Sequence, residues 1–274
     1  MSSNSETGHA KNVANCEKMI AFCISYGALY QPTNERIQLP NMQQLLQEAR
    51  ESLVQVTECL TAYNIAKNAR KEAFEDLPDL TSRVLSALAV SDTSDKTLKD
   101  ARGMVRKIKG IRVSKKEKAS TSAQPAATLD ASADLPDETA TTTETESTSA
   151  TENGNGTVKR QRSSSQTSFD QRIEHMARLL SLLRNEPGYI PNEQELQVST
   201  LEQYLETMRQ TNSEMIRREV ELSNARLRRD RLLYAPKTGI YDVASDVKLY
   251  IKAAFGAKSS QYKQVSGLKF TKQR

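Results

Sequence analysis

Two decamers, YQPTNERIQL from Tyr30 and YIPNEQELQV from Tyr189, stand 159 positions apart. Holding that offset aligns a long stretch of the chain with itself. Pro32 meets Pro191, Ile37 meets Leu196, Gln38 meets Gln197, Met42 meets Leu201 and Leu46 meets Leu205. Farther on, Val56 meets Met215, Tyr63 meets Leu222, Ala66 meets Ala225, and Ala73-Phe74 meets Leu232-Leu233. Backwards, Ile20 meets Leu179 and Cys23-Ile24 meets Leu182-Leu183, with no gap needed between Ile20 and Phe74. A constant offset that keeps apolar over apolar for so long marks two copies of one unit.

The spacing within each copy is helical. Cys16, Met19, Ile20, Cys23 and Ile24 share a face, as do Ile173, Met176, Leu179, Leu180 and Leu183, which predicts first helices over 13–28 and 169–184. The decamer is then a connector. Pro disfavours the α region for the residue before it, so Gln31 and Ile190 stop the first helix, and the Tyr ring folds back over the bundle end. Asn192 with Glu195, and Ser199 with Glu202, fit capping boxes, and Pro40 fits a first helical turn. The next helix carries a heptad seam of Leu39, Met42, Leu46, Ala49, Leu53, Val56, Leu60 and Tyr63. The second copy keeps that register through Val198, Leu201, Leu205, Met208 and Met215, with Asn212 and Glu219 as polar interruptions. Such residues fix register or mark a change of partner. After Pro-containing turns, two shorter helices complete each copy, over 80–90 and 95–109, then 241–255 and 259–269. The expected fold is all-α, with two tandem bundles of about four helices, each with one long heptad-bearing helix.

The stretch 113–168 is built of other material. It is rich in Ser, Thr, Ala and acids, and beyond Val113 its large apolar residues are Leu129, Leu135 and Val158, too few to offset the entropy of ordering it. The domain division is therefore a disordered tail over 1–12, a first bundle over 13–112, a disordered linker over 113–168 and a second bundle over 169–270. The overall hydrophobic content of 37% and mean hydropathy of −0.64 fit such a chain better than one large globule.

The segments YIPNEQELQ, RRDRLLY and VKLYIKAAFGAKSSQYKQVSGLKF resemble a group of bacterial proteins with no assigned function. Those are paired helical units with a Y-x-P-N-E connector and a V-K-x-Y-I-K-x-x-F-G tail. The resemblance covers most of the second copy. The first copy carries RVLSALAVSDTSDKTLKDARG where the tail motif would stand, without the Phe-Gly. The resemblance implies an all-helical repeat fold and a bacterial source, and it implies no activity.

Residues for chemistry are sparse. His9 falls in the polar tail, and His175 lacks the Glu-x-x-His spacing of a helical di-metal site. Cys16, Cys23 and Cys59 have no CxxC spacing and read as buried, reduced thiols. There is no Gly-rich phosphate loop and no G-x-S-x-G elbow. No catalytic, cofactor or metal residue is assigned, and no enzyme activity is expected. The net charge of +5 and pI near 9.0 permit contact with anions. The candidate anion-contacting residues are Arg106, Lys107, Lys109 and Arg112 at the end of the first copy, and Lys248, Lys252, Lys258 and Lys263 near the end of the second. Basic residues among Tyr250, Phe255 and Tyr262 can bind single-stranded nucleic acid by charge and stacking, or simply solvate the outside of helices whose aromatics are core. The polar N-terminus has no signal-peptide core, and no window reaches the ~18 apolar residues of a membrane helix. The expectation is a cytoplasmic, non-enzymatic helical protein that binds a protein partner through two tethered bundles. A nucleic-acid-associated protein is the second reading and an enzyme with an unrecognised site the third; the oligomeric state and the partner's identity are not legible.

Overall fold

The computed structural model describes residues 4–111 and 168–272. Every regular element among them is helical. In chain order these are α1 (Asn4–Ser25), α2 (Leu39–Ala73), α3 (Leu77–Val90), α4 (Asp95–Ile108), α5 (Phe169–Arg184), α6 (Val198–Tyr234), α7 (Ile240–Phe255) and α8 (Ser260–Ser266). The expected linker lies outside the described residues, except Ser168, whose hydroxyl accepts the Gln171 amide and caps α5.

The connectors match element for element at the sequence offset. Short 3-10 turns cover Glu35–Ile37 and Gln194–Leu196, and the long helices begin at Leu39 and Val198. The Tyr30 hydroxyl donates to the Ile37 carbonyl at 2.6 Å, and the Tyr189 hydroxyl to the Leu196 carbonyl at 2.8 Å. Both tyrosines are buried, so each connector is closed by a hydrogen bond shielded from water. The expected capping boxes are absent. Helix α6 starts one residue before Ser199, and the turn after Asn192 has no side-chain cap. Glu195 and Glu202 are instead ion-paired with Arg83 and Arg184.

The compact units do not follow the expected bundles 13–112 and 169–270. One unit combines Met1–Asp76 with Glu206–Arg274, and the other is Leu77–Leu205. In the first unit α1 packs on α2, α7 and α8. Its core joins Met19, Cys23, Tyr30, Met42 and Ala49 of the first copy to Leu233, Ile240, Val247, Ile251 and Val265 of the second. In the second unit α4 packs on α3 and α5. Helices α3 and α4 thus pack with α5, and α7 and α8 with α1. Helix α2 is 35 residues long and rises about 50 Å. Within the first unit α6 runs antiparallel to α2, as two contacts show. Asn212 accepts from Arg70 at 3.2 Å, and Arg228 donates to Gln55 at 3.3 Å. That direction carries α7 and α8 onto α1.

Two ends differ from expectation. Helix α1 begins at Asn4, inside the expected tail, and its buried face includes His9 and Asn12. At the other end, α8 stops at Ser266 rather than near 269. Beyond it the main chain is held by side chains of α1. Asn12 donates to the Thr271 carbonyl at 2.8 Å and accepts the Thr271 amide at 2.8 Å, while Asn15 donates to the Lys269 carbonyl at 2.7 Å. Those bonds replace the ones a longer helix would have supplied.

Candidate functional site

The sequence-predicted cations fall in both units. Arg106, Lys107 and Lys109 belong to the second unit, at the end of α4. Lys109 donates to the Ser82 hydroxyl, Arg106 is half-buried and engaged within the chain, and Lys107 is exposed. Arg112 lies outside the described residues. Lys248, Lys252, Lys258 and Lys263 belong to the first unit, along α7, the turn after it and α8. Lys248 turns inward. Its ammonium donates to the Leu268 carbonyl at 2.6 Å and sits 5.3 Å from the Phe270 ring centre, and burial lowers its pKa. Lys252, Lys258 and Lys263 stay exposed. Of the apolar residues around them, Val243, Val247 and Ile251 are buried in the core, whereas Ala254 is exposed.

The two histidines are both buried, one at 3% exposure and one at 6%. His9 Nδ1 is 2.7 Å from the Tyr234 hydroxyl, which also receives Asn12 Nδ2 at 3.3 Å. This His9–Tyr234–Asn12 network leads to the Thr271 main chain and ties the start of the described chain to its end. His175 sits on α5 with Nδ1 lacking a protein partner. Burial first, and then the charge of Lys107, lowers its pKa. The thiols of Cys16 and Cys23 are buried and free, and burial pushes them up to about 12 and about 11. Protonated at neutral pH, they are weak nucleophiles and poor metal ligands. Among the described residues no group of three His, Cys, Asp or Glu converges as a metal site, and no helix is long and apolar enough to cross a membrane.

The middle of the α2–α6 pair differs from both ends. The buried cluster there is small: Val56, Leu222 and Ala225, with Cys59, Leu60 and Tyr63 partly covered. Alongside it runs a groove of about 390 Å³, lined by Leu60, Tyr63, Glu219, Leu222, Ser223, Arg226 and Leu227. On α6 the residues Ile216, Val220 and Leu227 are 46%, 54% and 62% exposed. With Ser223 they follow steps of four, three and four, which is a second heptad stripe on the outer side of the helix.

The two polar interruptions of the inner seam separate here. Asn212 is buried and receives a hydrogen bond from Arg70 of the same chain, while Glu219 is exposed at the groove. The signal for the outer stripe was present in IRREVELSNARL. The inner seam by itself accounts for a helix there, so the outer stripe adds nothing to the periodicity that marks it.

No protein-family model, no curated protein and no solved structure matches this chain.

Proposed function

We propose that this is a non-enzymatic helical adaptor that binds a protein partner through the middle of the α2–α6 pair. One observation carries the reading. The stripe Ile216, Val220 and Leu227 leaves large apolar side chains exposed at heptad spacing beside a groove that sets Leu60, Tyr63 and Leu222 among the polar Glu219, Ser223 and Arg226. Scattered exposed apolar residues are ordinary, but an apolar stripe at heptad spacing beside a groove with a polar rim is the form in which helices bind one another. A cytoplasmic setting fits the free thiols of Cys16 and Cys23. An internal duplication fits the matched connectors closed by Tyr30 and Tyr189.

The nucleic-acid reading rests on the exposed Lys252, Lys258 and Lys263. It is weakened because Lys109 and Lys248 are engaged by the chain's own Ser82 and Leu268.

One experiment separates the two. The tagged protein and its Leu227→Glu variant are used for capture from the source cells after nuclease treatment, and anisotropy of a labelled single-stranded oligonucleotide is recorded at low and high salt. The adaptor reading expects nuclease-resistant partners that the variant loses, and little oligonucleotide binding. Oligonucleotide binding that collapses with salt, together with capture indifferent to Leu227→Glu, replaces it with the nucleic-acid reading.

A further inference from the structure

The chemistry of the α6 outer face points to a specific occupant. Leu222 stands near the midpoint of Ile216 and Leu227. Glu219 and Arg226 flank the same face seven residues apart, one on each side of that midpoint, with opposite charge. Beside them on the helix, Arg217 and Arg218 are both held by Glu214 and Glu221. Glu219 and Arg226 have no such ion pair among the described residues.

We infer that a second copy of this chain covers the stripe, with the two α6 helices antiparallel about a two-fold axis near Leu222. The inference rests on reading this face as a protein-binding surface. A two-fold interface must be self-complementary, and this one is. Antiparallel pairing sets Ile216 of one copy against Leu227 of the other and Val220 against Ser223, and it brings Glu219 of each copy beside Arg226 of the other. In a parallel arrangement each of these residues would face the position five residues farther on in the other copy, Glu219 against Asn224 and Arg226 against Arg231, so the flanking charges select the antiparallel one. The small Ser223 opposite Val220 leaves room for the helices to approach. Leu60 and Tyr63 of α2 stand across the groove from Leu227. The pairing therefore turns a two-helix section with a three-residue core into a four-helix section.

The stripe spans about 16 Å of helix. It is shorter than an interface of standard size, at roughly 800 Å² per partner, requires, so the dimer belongs to the weak, reversible class.

The test is sedimentation equilibrium of the full chain from about 5 to about 500 μM, with circular dichroism to confirm that each variant keeps its helix content. The expected result is a monomer–dimer equilibrium that Leu227→Glu and Val220→Lys each abolish in this range. Glu219→Lys and Arg226→Glu alone should each raise the dissociation constant on the order of tenfold. The double variant Glu219→Lys/Arg226→Glu should recover most of that loss, which a merely structural role for either residue does not produce. A monomer at every concentration overturns the inference. So does a dimer that ignores the apolar variants, or charge variants whose combination brings no recovery. If the chain is monomeric and Leu227-dependent capture of another protein persists, the adaptor reading stands and the second copy is ruled out.

Discussion

Asn12 is fully buried on α1 and grips the main chain of Thr271 from both sides. Replacing it with alanine removes two hydrogen bonds of 2.8 Å and the weaker 3.3 Å contact to the Tyr234 hydroxyl. Tyr234 keeps its 2.7 Å contact with His9, so its hydroxyl is not orphaned. Thr271 itself is exposed, and its freed amide and carbonyl return to water, so no buried-group penalty applies at that end. The loss is then the net value of two intramolecular hydrogen bonds, about 2 kcal/mol. That converts to roughly a 30-fold larger opening constant for the segment after α8. The assay is amide hydrogen exchange at Thr271, whose protection in this arrangement comes from Asn12. In Asn12→Ala its exchange should speed up by about that factor, while amides in the middle of α2 change little. Unchanged protection at Thr271 refutes the clamp, because nothing else described bonds that amide. Asn15→Ala, which frees only the Lys269 carbonyl, should leave Thr271 exchange nearly untouched.

Three further outcomes follow from the same geometry. A Cβ on Gly239 would lie 2.7 Å from the Ala235 nitrogen and 2.8 Å from the Tyr234 nitrogen, so Gly239→Ala should cost on the order of 2–4 kcal/mol, read as a drop in Tm. An unchanged Tm would mean that the α6–α7 turn is looser than described. Tyr30→Phe and Tyr189→Phe each leave a buried carbonyl without its donor and should each cost about 1–3 kcal/mol in urea titrations; neutrality of both would deny the connectors their structural role. Cys16 and Cys23 keep their protons to about 12 and about 11 when folded, against 9.0 for an unperturbed thiol. Above pH 9 the unfolded chain therefore binds fewer protons than the folded one. The stability these thiols contribute is present below that pH and is lost as pH rises toward their folded values. Urea titrations at pH 8 and pH 10.5 should show a larger loss for the wild type than for Cys16→Ala/Cys23→Ala; equal losses contradict the burial of the thiols.

The helices, the connectors and the seam were legible because each depends on near neighbours in sequence. Periodicity marked α5 to within a residue and both long helices, and the Tyr–Pro decamers located the turns between them. The closing bond from each Tyr to a carbonyl seven residues ahead is itself local, which is why one short motif suffices to specify it. The burial of Met42, Leu46, Ala49 and Val56 likewise follows from their spacing alone.

What the tertiary structure decided was partnership at a distance. His9, Asn12 and Asn15 look like surface residues because their partners, Tyr234, Lys269 and Thr271, lie more than 220 positions away. The duplication suggested two bundles each closed on itself. In the first unit α6 instead runs antiparallel to α2, and the α7 and α8 that follow it pack on α1. Likeness between two stretches of sequence specifies similar helices without saying which of them pack together. The two polar residues in the α6 seam show the same limit, since Asn212 and Glu219 occupy equivalent places in the pattern. The tertiary structure buries Asn212 within reach of Arg70 and leaves Glu219 exposed at the groove. Local periodicity determined what each helix can bury, and the direction in which α6 runs along α2 determined against what.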